Sequence, residues 1–368
     1  MVVAEIAQEA QTPRFAIATA RKRKRSRVLT FFKWLGVGVL ALLATIGIAF
    51  AVPPSRNFII DQIVYQGDFF FPLHQKSAVV RYVRVHAGGP VVPVVVPVKD
   101  GTVLSGQLAS PALHGQIRSY RIYLPPGYSS PLNRTRRYPV LFLIHGSPGN
   151  PGSWIRGAHA DWVANESIAA GTVAPLILVM PDVNGGEWRD TQCINKWNGT
   201  DNEMDYLVKD LVPYIDAHYR TLAIAKDRAI GGLSSGGYCA FNVGLHYPQV
   251  FSTIFSISGY YHALPGEVFG LNNPFGGNRA VIHANSPDLY VGSVPNVRHM
   301  HLFLVDSTAD WGYSGYTQSF DRELTRLHIP HVTIMRNPSG LHLWDHSWAF
   351  WRSAFRQVLP QVSSSFGH

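Results

Sequence analysis

The pentapeptide Gly232-Leu233-Ser234-Ser235-Gly236 carries the strongest chemical signal in the chain. It follows an apolar run, Ala229–Leu233, with strand character, and precedes a segment with helical spacing through Tyr247. A serine on a strand-to-helix turn between two glycines is the arrangement of a nucleophile elbow. The turn is sharp and its neighbours crowd it, so glycine is required on both sides. The hydroxyl then stands over a helix N-terminus, whose dipole favours a developing negative charge. A glycine-rich turn without chemistry can show the same pattern. Catalysis therefore needs three further things: an acid, a histidine and donors for an oxyanion.

The chain order for this elbow is nucleophile, acid, histidine. Beyond Ser234 the acids that follow a late strand are Asp306 and Asp310, in HLFLVDSTADWGY. Asp321 falls within a helical stretch, and Asp345 is placed to cap the last helix. Among the late histidines, His328 ends a helix and His331 opens a strand. His342 and His346 lie in PSGLHLWDHSWAFW, between the last strand and the C-terminal helix, where an imidazole can reach a serine above the sheet. For the oxyanion, one N–H comes from Ser235, the residue after the nucleophile. The other is expected from His145-Gly146-Ser147-Pro148-Gly149, where Pro148 has no N–H and Ser147 is the favoured donor. His145 ends a buried run and reads as a structural, hydrogen-bonded histidine.

These residues need a scaffold, and the chain supplies alternating strands and helices. Strand character appears at Ile117–Leu124, Pro139–Ile144, Pro175–Met180, Ala229–Leu233, Thr253–Ile257, His301–Val305 and Val332–Met335. Helical spacing appears at Ser153 to about Ala170, Glu203–Tyr219, Tyr316–Leu327 and Ser347–Leu359. This alternation, with glycine-rich turns after the strands, predicts an α/β fold: a mostly parallel sheet covered by helices on both faces. Catalytic groups in such sheets gather at the carboxyl ends of the strands.

LPPGY, YPVLFLIHGSPG, GGLSSGGYCAFNVGLHYPQVFSTIFSISG and HSWAFW, in that order, resemble the putative-esterase family of α/β-hydrolases. That family includes feruloyl esterases, the esterase D type and secreted mycolyltransferases. The resemblance covers roughly residues 115–360 and implies an α/β-hydrolase fold, a Ser–acid–His triad and no cofactor. It selects His346, since Trp348 and Trp351 follow it at the family spacing; His342 matches that frame only in part. It also selects Asp310, three residues beyond the small turn residue Ser307, although Asp306 stands where the family often has glycine. The expected catalytic set is Ser234, Asp310 and His346, with Ser147 and Ser235 forming the oxyanion hole.

At 368 residues with 46% hydrophobic and 15% charged positions, the chain is long and apolar enough for a sizeable core. Its net charge of +9 is concentrated at the start: residues 1–33 carry eight Lys/Arg and two Glu, leaving +3 for the remainder. Basicity of that kind gives no reason to expect a nucleic-acid partner. After RKRKRSR, Trp34–Val52 holds no charge and is long enough to cross a bilayer, until Pro53-Pro54 stops it. The basic cluster orients the chain with its N-terminus in the cytoplasm. Residues 1–30 are read as a cytoplasmic tail and 31–52 as a membrane anchor. Residues 53–114 become an extracytoplasmic linker with accessory strands, 115–360 the catalytic domain and 361–368 a tail. Ala49-Phe50-Ala51 has the form of a cleavage site, the alternative route to the same compartment, which would leave a secreted protein. PVVPVVVPV, Pro90–Val98, has too many prolines for a central strand and is expected to be extended edge chain.

Cys193 and Cys239 are the only cysteines, and an extracytoplasmic domain is expected to pair them. No metal site, P-loop or dinucleotide fingerprint is present in the sequence. The functional expectation is a serine esterase acting on an ester or acyl-lipid small molecule. The alternatives are an acyltransferase that uses a sugar acceptor stacked on Trp154, Trp188 or Trp311, and a non-catalytic cell-envelope protein of the same fold.

Overall fold

The computed structural model describes residues 75–186, 189–264, 273–337 and 345–367. The chain first forms a hairpin, β1 (Ala78–Arg84) with β2 (Val91–Pro97), as a separate antiparallel sheet. The proline-rich stretch is thus extended chain in a two-stranded sheet, where its missing donors can face outward. An eight-stranded sheet follows, built from β3 (Thr102–Ser110), β4 (Gln116–Leu124), β5 (Val140–Ile144), β6 (Ile177–Pro181), β7 (Arg228–Leu233), β8 (Thr253–Ile257), β9 (His301–Ser307) and β10 (Val332–Arg336). Its order is β10-β9-β8-β7-β5-β6-β4-β3. The strands from β10 to β6 run parallel, whereas β4 and β3 are antiparallel to their neighbours.

The sheet therefore starts at Thr102, ahead of residue 115, where the sequence placed the edge of the catalytic domain. TVLSGQLAS is an edge strand with mostly exposed positions, and it lacks the apolar run that marks β5, β6 and β8. Those three strands are buried at every residue, as strands covered by helices on both faces must be.

The helices that matter for the site are α1 (Ser153–Arg156), α2 (Ala160–Ala170), α3 (203–218), α4 (Ser235–His246), α5 (Arg279–Ala284), α6 (Ser314–Arg326) and α7 (Trp348–Ser364). The expected single helix from Ser153 is broken into α1 and α2. At the break, Gly157 leaves room for the Trp348 ring: a Cβ there would lie 2.2 Å from it. α3 joins Glu203–Asp205, the wider π-type turns Tyr206–Leu211 and Val212–His218. The core between sheet and helices is aromatic: Trp154 is fully buried between Phe255 and Phe355 and donates Nε1–H to the Ile144 carbonyl at 3.0 Å. That placement removes Trp154 from any role in stacking a sugar. Trp188, His342 and the apolar stretch Trp34–Val52 lie outside the described residues. Among the described residues no helix is long and apolar enough to cross a membrane.

Candidate active site

β7 ends at Leu233, and Ser234 turns the chain directly into α4. Ser234 has φ +54° and ψ −126°, a conformation that is strained for a residue with a side chain. Its surroundings enforce the strain. The Ser234 N–H is held by the Ile257 carbonyl at 2.9 Å, and the glycines on either side have no room for a Cβ. One at Gly232 would lie 2.0 Å from the Gly236 carbonyl oxygen, and one at Gly236 would lie 2.4 Å from that of Ile144. The hydroxyl is thereby fixed at the carboxyl end of the parallel strands, over the first N–H groups of α4.

Two loops bring partners to it. β9 ends at Ser307 and a tight turn delivers Asp310, whose N–H bonds the Ser307 carbonyl at 3.1 Å. The second loop ends in His346, just ahead of α7. Ser347 caps that helix, its hydroxyl accepting the Phe350 N–H at 3.3 Å. Asp345, expected as the cap, instead accepts a short hydrogen bond from the Ser307 hydroxyl. His346 Nε2 lies 3.0 Å from Ser234 Oγ, and its Nδ1 lies 2.9 Å from Asp310 Oδ2. Both ring nitrogens are thus engaged, one by the hydroxyl and one by a fully buried carboxylate. With the proton on Nδ1, the ring donates to Asp310 and accepts from Ser234.

The ring is clamped by aromatics. Tyr313 stacks on one face of His346 at 4.1 Å between centroids, and Trp351 meets it edge-on at 4.9 Å. Trp351 is itself held, donating Nε1–H to Ser258 Oγ at 3.3 Å and packing edge-on against Trp348. The packing of Trp351 on His346, with Trp348 behind it, agrees with what the family resemblance implied. The Tyr313 face was not implied by it, because Tyr313 reaches the histidine from another element. Burial raises the Tyr313 phenol above its ordinary range, an effect opposed by its hydrogen-bonding contact with the Ser234 side chain.

The His145–Gly149 loop passes over Ser234: a Cβ at Gly146 would lie 3.2 Å from that of Ser234. His145 is buried, with Nδ1 at 2.8 Å from the Gly146 carbonyl and Nε2 facing the Val183 N–H at 3.4 Å. Ser147 is fixed through its hydroxyl, which donates to the Arg189 carbonyl at 3.3 Å and accepts from Asn184 at 3.1 Å. This loop thus runs close to Ser234, and Ser235 opens α4 immediately after it.

Two buried carboxyls lie near this centre. Asp306 is pushed up to about 7 by burial, against the stabilising Thr317 hydroxyl at 2.7 Å and with the Asp310 charge adding to the shift. It faces Thr317, Ser258 and the Ser307 N–H, away from His346. Asp190 is raised to about 6 by burial, offset by the Gln192 N–H and the Ser147 side chain. Asp321 pairs with His331 at 3.1 Å on the outside of the fold, so neither of those residues reaches the site. Cys193 and Cys239 are joined as a disulfide, with Cα atoms 5.4 Å apart. It ties the loop after β6 to α4, the helix that follows Ser234. Among the described residues no His, Cys, Asp and Glu cluster could hold a metal ion.

A family model described as putative esterase matches residues 110–362. An uncharacterized protein of Corynebacterium glutamicum is 25% identical over 67% of this chain and 57% of its own length. An endo-1,4-beta-xylanase/feruloyl esterase of Xylanibacter ruminicola is 31% identical over 42% of this chain and 20% of its own. An esterase of Mycobacterium tuberculosis is 32% identical over 38% and 28%. The chain thus spans less than two thirds of each of these relatives. A solved ferulic acid esterase superposes with a TM-score of 0.62 at 25% identity, covering 73% of this chain and 99% of that one. An S-formylglutathione hydrolase from Agrobacterium tumefaciens, at 16% identity and a TM-score of 0.60 over 73% and 96%, shares the fold. With 110–362 matched and the elbow, acid and histidine loops in their order, the chain belongs to the putative-esterase family and has the α/β-hydrolase fold.

Proposed function

We propose that this protein is a serine esterase that cleaves carboxylic esters through an acyl-enzyme on Ser234. One observation carries the reading: a continuous hydrogen-bonded series from Ser234 Oγ through His346 to a buried Asp310 carboxylate. In the first half-reaction Ser234 Oγ attacks the ester carbonyl carbon while His346 Nε2 takes its proton. The carbonyl oxygen becomes an oxyanion held by the Ser147 and Ser235 N–H groups. Asp310 keeps the imidazole in the right tautomer and stabilises the imidazolium. The imidazolium then protonates the departing alkoxide, which leaves as the alcohol. Water repeats the sequence to release the acid and restore Ser234. The chain's own groups supply every proton transfer in this cycle, and no cofactor enters it.

The reading places the catalytic part outside the cytoplasm, tethered by Trp34–Val52. The Cys193–Cys239 bond supports that compartment, since such bonds persist where conditions are oxidising. Transfer of the acyl group to a sugar or lipid hydroxyl would use the same acyl-enzyme. Exposed Trp311, beside Asp310, is the one described tryptophan of the three that remains available to such an acceptor. The test is product analysis with a feruloyl or short-chain ester, with and without a disaccharide acceptor. Free acid from the wild-type protein and none from Ser234→Ala supports the esterase. Acylated disaccharide as the main product would replace it with a transferase. No turnover of any ester would overturn both.

A further inference from the structure

The β1–β2 hairpin stands outside the family match and takes no part in the site, yet it presents an unusual surface. Its register pairs Ala78, Val80, Tyr82 and Arg84 with Pro97, Val95, Pro93 and Val91 on one face. Every one of these residues is exposed, Tyr82 at 72% and Val95 at 71%. The other face turns Val79, Val92 and Val96 inward, toward α2, and these are half-buried. Further along, Val83, Val85 and Val94 are exposed as well, so the far end of the hairpin projects with apolar side chains around it. Its base is firmly pinned. The Lys76 N–H bonds Glu166 at 3.0 Å, and the Asn165 side chain bonds Gln75 and the Gly101 N–H.

A rigid, projecting apolar surface of this kind calls for a partner, because soluble proteins rarely leave one in water. Its charges identify the partner. From Gln75 to Lys99 the chain holds Lys76, Arg81, Arg84 and Lys99 and no acidic residue. An exposed apolar face with a tyrosine and Arg84 on it, in a segment whose only charged side chains besides histidine are cations, matches the interface of a bilayer that carries anionic headgroups. The tether agrees. From Val52, where the apolar stretch ends, to Ala78 the chain can extend at most about 90 Å, so the hairpin never leaves the neighbourhood of the membrane. Pro93 and Pro97 remove donors from β2, which works against pairing with a strand from a second copy.

We propose that the β1–β2 hairpin inserts its apolar outer face into the surface of an anionic lipid bilayer, as a second contact beside the Trp34–Val52 anchor. This rests on the anchored reading given above. The hairpin packs by the C-terminal part of α2 and near Pro360 toward the end of α7, whereas His346, which holds Ser234, sits just ahead of the start of α7. The contact therefore holds the body of the enzyme in a fixed attitude, with the Trp311 rim of the site away from the lipid.

The test uses the full chain reconstituted into phosphatidylglycerol-containing vesicles whose acyl chains carry bromine. Val95→Cys and, separately, Trp311→Cys are labelled with a fluorophore; the native cysteines are bonded and do not react. Matching melting temperatures show that both variants fold. The label at 95 is expected to be quenched several-fold more than the label at 311. Replacing Tyr82 with Asp, or phosphatidylglycerol with phosphatidylcholine, is expected to reduce that quenching. Equal quenching at 95 and 311 in protein that floats with the vesicles overturns the hairpin contact and leaves the anchor standing. Protein that does not float with vesicles overturns both. Crosslinking between 95 and 95 of two chains in detergent, without quenching in lipid, replaces the bilayer with a second copy.

Discussion

The Ser307 hydroxyl donates to the Asp345 carboxylate, and this one bond joins the turn that carries Asp310 to the loop that carries His346. The same hydroxyl accepts the Ala309 N–H at 3.1 Å, so it also fixes the shape of the turn. The separation between Asp310 and His346 is thereby set from behind, by a residue close to each in the chain. Ser307→Ala is expected to lower kcat by about tenfold to a hundredfold with KM little changed, as displacements of order 1 Å do in active sites. Asp345→Asn keeps an acceptor for the hydroxyl and is expected to retain most of the activity, whereas Asp345→Ala is not. A loss of folding without this split in kinetics would reduce Ser307 to an ordinary core residue.

Which histidine acts as the base is decided by two variants. His346 directly precedes α7, is clasped by Tyr313 and Trp351, and meets both Ser234 and Asp310. His346→Ala is expected to lower kcat by roughly 10⁴-fold or more, the loss typical of a triad member, with the fold and KM largely kept. His342→Ala is expected to cost far less. Measured on a short-chain nitrophenyl ester, the opposite ranking would move the base to His342.

Asp306 gives stability a predictable pH dependence. Its folded carboxyl titrates near 7, above the ordinary value of 3.8, because it is buried. The native state therefore binds the proton more tightly than the unfolded chain does. The ionised form is penalised, and stability contributed at low pH is lost as pH rises through the interval between these two values. Asp306→Asn cannot ionise. Its melting temperature is expected to exceed the wild type's above pH 7 and to converge with it near pH 4. Parallel curves for the two proteins would show that Asp306 is not the group responsible.

The disulfide spans 46 residues and links the loop after β6 to α4. Loop-closure entropy for that separation is worth about 4 kcal/mol to the folded state. Denatured, unreduced protein is expected to take up no thiol label, and reduced protein two, with a clear fall in melting temperature. Two labels without reductant would remove the bond.

The parts of this molecule that were legible in the sequence are those governed by local rules. Thr253–Ile257 was read to the residue because a strand buried on both faces is an unbroken apolar run. The elbow was read because its pattern is local, between a strand and a helix; Gly232 is demanded by the Gly236 carbonyl four residues on, although Gly236 is demanded by Ile144 from another strand. β3 was missed as part of the main sheet because an edge strand containing Gly106 needs little apolar content. The break between α1 and α2 was missed for a different reason: the ring that Gly157 makes room for there is Trp348, nearly two hundred residues away in the chain. Tyr313, Ser307 and Asp345 belong to the same class. Nothing about a tyrosine or a serine in sequence tells which ring it will stack on or which carboxylate it will meet. Asp345 in particular looked like a helix cap until Ser347 took that position.

The central claim is that Ser234 is the nucleophile. Purified protein is to be incubated with a fluorophosphonate, which forms a stable bond only with an activated serine, and the labelled peptide mapped by mass spectrometry. Labelling of Ser234, abolished in Ser234→Ala and strongly slowed in His346→Ala, is the predicted result. Absence of labelling in folded protein, or labelling at any other residue, would contradict it.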